Sequence, residues 1–299
     1  MKSKHVVNKD YHNTRFDRWF KNNVSDIPQS LIEKLIRKNK IKVNKKKTKT
    51  KYRVQQNDEI EIFNFEKIKH KKKTEIKLYK PSEKEKETYG NFILENNDNF
   101  IVINKPAGIP VQSGTKSFKN IIDILKNTEY FQNSKPFIVH RLDKETSGVM
   151  IIAKNRKYAQ LFTSLFRIRK IHKLYIAVTH GSVNKELKVM KDDLILYEKN
   201  RKIIQKAISY IKVLKSNNKY SFVELKPITG RKHQLRKQLF NIGHPVVGDV
   251  KYSFKNEKKN KNLLLHAYKI KFMINKIKYN FKANYSLQFE NFVKKNIKS

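Results

Sequence analysis

A single carboxylate set among cations and hydroxyls marks the run His140-Arg141-Leu142-Asp143-Lys144-Glu145-Thr146-Ser147-Gly148-Val149-Met150 as the start of a possible catalytic site. An ionised Asp143 can act as a nucleophile or a base, and a nearby guanidinium favours the ionised form. Taken alone, His-Arg-Leu-Asp reads more simply as a salt-bridged loop, so the weight falls on what accompanies it. Three further blocks carry more functional groups than packing requires. They are Asn104-Lys105-Pro106-Ala107-Gly108-Ile109-Pro110-Val111, then Lys173-Leu174-Tyr175, then Thr229-Gly230-Arg231-Lys232-His233-Gln234-Leu235-Arg236 with Gly243-His244-Pro245 and Gly248-Asp249 behind it. Arg236 offers a planar fork that suits a carboxylate, although a surface arginine on phosphate would look the same. Arg231, His233 and Gln234 offer donors to phosphate and base edges, with a structural hydrogen-bonding role equally open to His233. Tyr175 by itself, between Leu174 and Ile176, would be a core residue. Gly148 and Gly230 serve backbone geometry, and Glu145 is a weaker candidate acid without an obvious partner.

The composition narrows the partner. With 68 basic against 26 acidic residues and a formal charge of +42, the folded chain repels itself unless a polyanion gathers round it, so nucleic acid is the natural ligand. Only eleven of the 68 are arginine, which makes each arginine more informative than each lysine, and Arg141, Arg231 and Arg236 fall in two of the short blocks. Cysteine is absent, which removes disulfides, thiolate nucleophiles and zinc-cysteine or iron-sulfur sites and points to a reducing cytosol. No metal-ligand spacing, Walker loop or dinucleotide fingerprint occurs, so no cofactor and no metal is implied. The first ten residues lack an apolar h-region and no segment approaches a membrane span, so the expectation is a soluble cytoplasmic protein that contacts no membrane.

These residues must be held by a surrounding fold, and the apolar spacing outlines one. From Thr14 to Phe63, pairs four apart (Phe16/Phe20, Leu31/Leu35, Ile32/Ile36) give two helices separated by Asp26, Pro28 and Ser30. Ile41/Val43 and Ile60/Ile62 give short strands around a basic loop, Asn44 to Lys51. Residues 64–87, rich in Lys and Glu, read as a charged linker. A second domain over 88–299 has strand candidates at Ile93-Leu94, Phe100 to Ile103, Gly148 to Ala153, Tyr175 to Val178 and Phe222 to Leu225, with helical spacing over Tyr158 to Arg169. Strands and helices interleave without a βαβ repeat, which predicts an α+β fold. Phe254 to Asn262 reads as a mobile basic loop.

Taken in order, the four blocks resemble the RluA family of pseudouridine synthases over nearly the whole chain. His-Arg-Leu-Asp then Thr-Ser-Gly, Lys-x-Tyr, and Thr-Gly-Arg-x-His-Gln-Leu-Arg form a specific combination. The N-terminal layout is similar to the alpha-L RNA-binding module, which implies a binding face of Lys34, Arg37, Lys38, Lys42 and Lys45. The resemblance implies a catalytic domain with a mixed, largely antiparallel central sheet flanked by helices and loops. It also implies isomerisation of uridine in RNA, here large-subunit (23S) ribosomal RNA: the N1–C1′ bond breaks, the uracil rotates, and C5 bonds to C1′. Asp143 is then the essential carboxylate, as nucleophile at sugar or base or as a base removing a sugar proton. Arg236 pairs with it, Tyr175 stacks on the uracil and helps remove the C5 proton, and Arg141 holds the nucleotide out of its stack. No DNA partner is expected, and the chain is expected to act as a monomer. Two departures from the family pattern are Lys237-Gln238, where an apolar residue and His are common, and Ser209, where Thr is usual. A non-catalytic RNA-binding assembly factor is the alternative; a metal-dependent nuclease would need clustered carboxylates, and the blocks offer mainly Asp143 and Asp249.

Overall fold

A computed structural model describes residues 2–64, 79–113, 119–198, 201–254 and 262–297. The chain divides into two compact units, Met1–Ile76 and Lys77–Ser299. In the first, strand β1 (Lys2–Val6) precedes β2 (Thr14–Arg15), α1 (Phe16–Asn23), α2 (Gln29–Arg37), β3 (Ile41–Val43), β4 (Lys46–Lys47), β5 (Arg53–Val54) and β6 (Glu59–Phe63). Phe16, Trp19 and Phe20 of α1 and Ile32, Leu35 and Ile36 of α2 pack with Ile41, Val43, Ile60 and Ile62 in one core, which is why both helices show an i, i+4 apolar stripe. Strand β1 pairs antiparallel with β6, so the unit starts well before Thr14. Its Lys- and His-rich sequence conceals this strand, because only Val6 looks apolar. Asn44 and Lys45, both at positive φ, turn β3 into β4.

Of the charged segment read as a linker, residues 65–78 lie outside the described residues, and its end is helical. Helix α3 (Glu83–Gly90) begins with a capping box, in which Ser82 accepts from the Glu85 amide and the Glu85 carboxylate receives the Ser82 N–H. The Lys/Glu composition hid that start signal.

The second unit continues with β7 (Ile93–Asn96), β8 (Phe100–Lys105), α4 (Ile121–Lys126), β9 (Phe137–Ile138), β10 (Ser147–Ala153), α5 (Arg156–Arg167), β11 (His172–His180), β12 (Val189–Glu198), β13 (Arg201–Ser216), β14 (Tyr220–Pro227), α6 (Gln234–Asn241), β15 (Leu265–Ile274), β16 (Ile277–Lys282) and α7 (Leu287–Asn296). Among the described residues these strands form one mixed sheet in the order β12-β13-β14-β11-β15-β10-β8-β7, with β16 on β15 and β9 on β10. The β10–β15 pairing is parallel and its neighbours in the sheet are antiparallel, as the resemblance implies. Strands β8 and β10 are continuous apolar runs because both faces are covered. Phe100 and Val102 pack towards Phe162 of α5, while Ile101 and Ile103 pack towards Ile121, Ile124 and Leu125 of α4. Each such side chain contributes about 1.5–3 kcal/mol on burial.

Parallel pairing brings β10 and β15 together at Gly148 and Ala267, where the Gly148 φ is 115°. A Cβ there would collide with the Ala267 carbonyl oxygen and lie 2.6 Å from its amide nitrogen, so only glycine lets β10, the strand that follows the Asp143 loop, take its place. The join is finished by Ser147, which donates to His266 Nδ1 at 2.8 Å while His266 Nε2 donates to the Ala283 carbonyl at 3.0 Å.

Candidate active site

A cavity of about 790 Å³ is lined by residues from three of the four blocks, including Arg141, Asp143, Lys173, Tyr175, Arg231, His233 and Arg236. Asp143 sits in the loop that enters β10, where its carbonyl accepts the Thr146 amide at 3.1 Å, and its carboxylate remains 27% exposed. The fourth block reaches it from behind. Lys105, fully buried, donates to the Pro106, Ile109 and Lys144 carbonyls at 2.8, 2.9 and 3.2 Å, and the Gly108 amide also donates to Lys144 O at 2.9 Å. Burial lowers the Lys105 amine to about 7 against the pull of Glu145 and Asp143. Three carbonyl acceptors require three N–H donors, so the clasp is made by the ammonium, and it fixes the peptide that follows Asp143.

Arg236 lies in the first turn of α6, 6% exposed, with Nη1 3.6 Å from Asp143 Oδ2. Its fork is turned elsewhere. Nε and Nη2 donate to the two oxygens of Asp249 at 2.6 and 2.7 Å, and Tyr252 lies under the guanidinium at 5.2 Å. The expectation that Arg236 spends its fork on Asp143 therefore needs revision, since Asp249 anchors it and Asp143 faces the remaining nitrogen. Burial opposes the Asp249 charge, but the Arg236 fork and the Tyr252 and Lys251 amides outweigh it and hold the carboxyl below its ordinary range. With Arg236 bonded to Asp249 and its Nη1 3.6 Å from Asp143, the guanidinium supplies the positive charge beside both carboxylates.

His233 adopts a left-handed backbone (φ 54°, ψ 29°) just before α6, which puts Nε2 3.6 Å from Asp143 Oδ1 and Nδ1 3.0 Å from the Tyr252 hydroxyl. Burial lowers its basicity, Asp143 works the other way, and Arg236, Lys251 and Lys232 add to the lowering. The balance favours the neutral ring, a polar neighbour of Asp143. Tyr175 enters the cavity at a β-bulge between Leu174 and Tyr175, a device that re-aims a side chain off the regular pleat. Burial, with the Asp143 charge second, raises its phenol above the usual range, so it works as a neutral hydroxyl.

Gln234 does not offer the free donors expected of it. It is 5% exposed; its Oε1 accepts from Thr229 Oγ1 (2.8 Å) and the Arg231 amide (3.0 Å), and its Nε2 donates to Ile208 O (3.1 Å) and Ser209 Oγ (2.9 Å). Ser209 in turn donates to Gln238 Oε1 at 2.7 Å. Gln238 and Ser209, which both depart from the family pattern, are thus partners in one buried network that fixes α6 to β13. Arg141 and Arg231 are exposed at the cavity, the latter with Nε on the Lys206 carbonyl at 3.1 Å. Asp249, Tyr252 and Lys105 carry the support that motif reading assigned to no role; their signal was position, since Gly248-Asp249 and Asn104-Lys105 both stand in the chemistry-bearing blocks.

In the first unit, Lys34, Arg37 and Lys38 are exposed at i, i+3 and i+4 of α2 and its cap, and Lys45 is exposed in the β3–β4 turn. Lys42 is half-buried, with Nζ 5.7 Å from the Phe63 ring centroid.

Residues 99–241 match the model of the RNA pseudouridylate synthase family. "Ribosomal large subunit pseudouridine synthase C" of Buchnera aphidicola subsp. Schizaphis graminum is 31% identical over 89% of this chain and 88% of its own length. The chain belongs to the RNA pseudouridylate synthase family. The protein of the same name from Rickettsia felis is 35% identical over 85% of this chain and 87% of its own. Among solved structures, human RNA Pseudouridylate Synthase Domain Containing 4 superposes with a TM-score of 0.61 at 26% identity, covering 72% of this chain and 96% of that one. The protein is accordingly an RNA pseudouridine synthase, and the cavity around Asp143 lies within the matched segment and the residues that follow it.

Proposed function

We propose that the protein isomerises specific uridines of large-subunit ribosomal RNA, with Asp143 as the essential carboxylate. The observation that carries this reading is the convergence of Asp143, Tyr175 and Arg236 on one cavity, in a family whose matched relatives bear that substrate in their names. Reaction and geometry fit. Breaking N1–C1′ and joining C5 to C1′ moves no atoms in or out overall, because the proton lost from C5 is balanced by one gained at N1. The groups required are a carboxylate at the sugar or base, a polar ring beside the uracil, and a cation that fixes the carboxylate. Asp143 supplies the first in any of its three routes, Tyr175 the second, and Arg236 the third.

The target base must leave its stack to reach Asp143, and Arg141, exposed beside it, is placed to hold the nucleotide out. The first unit adds phosphate contacts through Lys34, Arg37, Lys38 and Lys45. Uridine is an RNA nucleoside, so DNA is not the substrate. Monomeric action in the cytoplasm belongs to the same reading; among the described residues no helix is long and apolar enough to cross a membrane. The test is incubation with unmodified large-subunit ribosomal RNA followed by mapping of pseudouridine. Conversion of defined uridines is expected for the natural sequence and none for Asp143→Asn, which still binds the RNA. Full conversion by Asp143→Asn would remove Asp143 from the chemistry, and RNA binding without conversion by the natural sequence would favour the assembly factor.

A further inference from the structure

The chain holds 57 lysines and eleven arginines, and five of the eleven (Arg141, Arg167, Arg169, Arg231 and Arg236) line the cavity that contains Asp143. Arg236 is committed to Asp249, Arg231 has Nε on Lys206 O, and Arg167 has Nη2 on Ser164 Oγ of its own helix at 3.2 Å; among the described residues Arg141, Arg167 and Arg169 make no side-chain bond outside their own segment. These three come from two segments, the Asp143 loop and the end of α5. All three are exposed, and none forms an ion pair among the described residues. The lining takes five of the eleven arginines but two of the 57 lysines, Lys173 and Lys232, so a planar fork is over-represented there relative to a point charge. The backbone adds a second sign. Helix α5 closes with the Arg169 amide on Phe166 O at 3.2 Å and the Lys170 amide on Leu165 O at 2.9 Å, a turn whose left-handed position ordinarily takes glycine. Here Arg169 holds φ 60° instead, and its side chain lines the cavity.

We propose that Arg141, Arg167 and Arg169 form a clamp for the RNA backbone, gripping the phosphates that flank the target uridine; this rests on the reading of the cavity as the uridine site. A guanidinium fork matches two phosphate oxygens, and the cavity is at the large end of those that take small ligands, so it admits a nucleotide together with adjoining backbone. The clamp positions the strand, while sequence is read elsewhere.

The test uses the full chain and an unmodified large-subunit ribosomal RNA transcript, with binding measured over a series of KCl concentrations and single-turnover conversion measured beside it. Arg169→Gly suits the left-handed backbone, so its urea midpoint is expected at or above that of the natural sequence, which separates lost contacts from lost folding. The expected result is binding weakened about fivefold to tenfold and a salt slope reduced by about one, with the same direction in Arg167→Ala. Lys157→Ala, an equal charge change on the same helix and away from the cavity, is expected to leave both readings as they were. A natural-sequence affinity and salt slope in both arginine variants would overturn the clamp. Conversion reports separately on the isomerase reading, because the binding series decides the clamp whether or not uridine is converted.

Discussion

Asp249 takes the fork of Arg236 at 2.6 and 2.7 Å, and Asp143 stands 3.6 Å from the Nη1 that is left. The residue proposed to steady the essential carboxylate is thus itself steadied by a second carboxylate, 0% exposed at its side chain and held by the Lys251 and Tyr252 amides. Breaking such a buried pair by removing one partner leaves the other charge uncompensated, at a cost of about 3–5 kcal/mol. Asp249→Asn is therefore expected to lower the urea-derived stability by about 3 kcal/mol. It should also slow single-turnover conversion by about 100-fold at a temperature where it remains folded, since small misplacements of a positioning group cost that much. Unchanged conversion in Asp249→Asn would show that Arg236 needs no anchor.

The asymmetry between those two aspartates shows where sequence reading succeeds and where it stops. Asp143, Tyr175 and Arg236 were legible because their motifs have fixed internal spacing, and the strands β8 and β10 were legible because burial on both faces leaves long apolar runs, while β11 and β14 showed only short apolar stretches. The Arg236–Asp249 pair depends on a contact thirteen residues apart that no periodicity encodes. Gln234 looked like a free donor because its motif neighbours are functional, yet tertiary packing consumes both ends of its amide. The hairpin of β12 and β13 was missed for a different reason: exposed Lys, Asp and Gln interrupt its apolar residues, and one long antiparallel pairing, Val189↔Tyr210 to Glu198↔Arg201, supplies the regularity that composition hides. Arg167 and Arg169 sat inside a helical pattern, which gave no hint that the helix ends against the cavity.

Two histidines make the fold sensitive to acid. His140 Nε2 accepts the Ile151 amide at 2.9 Å, and burial, with Lys173 second, lowers it to about 3; burial lowers His266 to about 4 against its bond to Ala283 O. Unfolded histidine takes up its proton near pH 6.5, so below that the unfolded chain binds more protons than the folded one. The contribution is complete above about pH 6.5 and is lost as pH falls towards the folded values, at about 2 kcal/mol for each ring by pH 5. Urea unfolding at pH 8 and pH 5 should show the loss, and ring carbon and proton NMR shifts of both residues should stay those of neutral imidazole down to pH 5. Protonation of either ring near pH 6.5 in the folded protein would refute the assignment.

Thr146 presents the opposite balance. Its side-chain oxygen is buried at the cavity wall with no hydrogen-bond partner among the described residues. An unmet buried hydroxyl costs about 1–3 kcal/mol, whereas a methyl group of the same shape costs nothing there. Thr146→Val is expected to raise the urea-derived stability by about 1 kcal/mol. A fall in conversion alongside that gain would assign the hydroxyl to the RNA-bound state, and a loss of stability would mean that the hydroxyl is already satisfied.

The first unit separates charges that face solvent from one that does not. Lys34, Arg37 and Lys38 share a face of α2 with their charged groups exposed, while the Lys42 ammonium lies against Phe63. Each phosphate contact contributes about 0.7–0.9 to the slope of log affinity against log salt concentration. Replacing Lys34, Arg37 and Lys38 by alanine together should therefore flatten that slope by about two to three and weaken binding at 50 mM KCl far more than at 300 mM. Lys42→Ala should change the slope by less than any one of those three. The deficit of the triple variant should appear in the protein concentration needed for half-maximal conversion, because these residues lie in the first unit and the groups around Asp143 in the second. A slope equal to that of the natural sequence would mean that this helix face does not touch RNA phosphate.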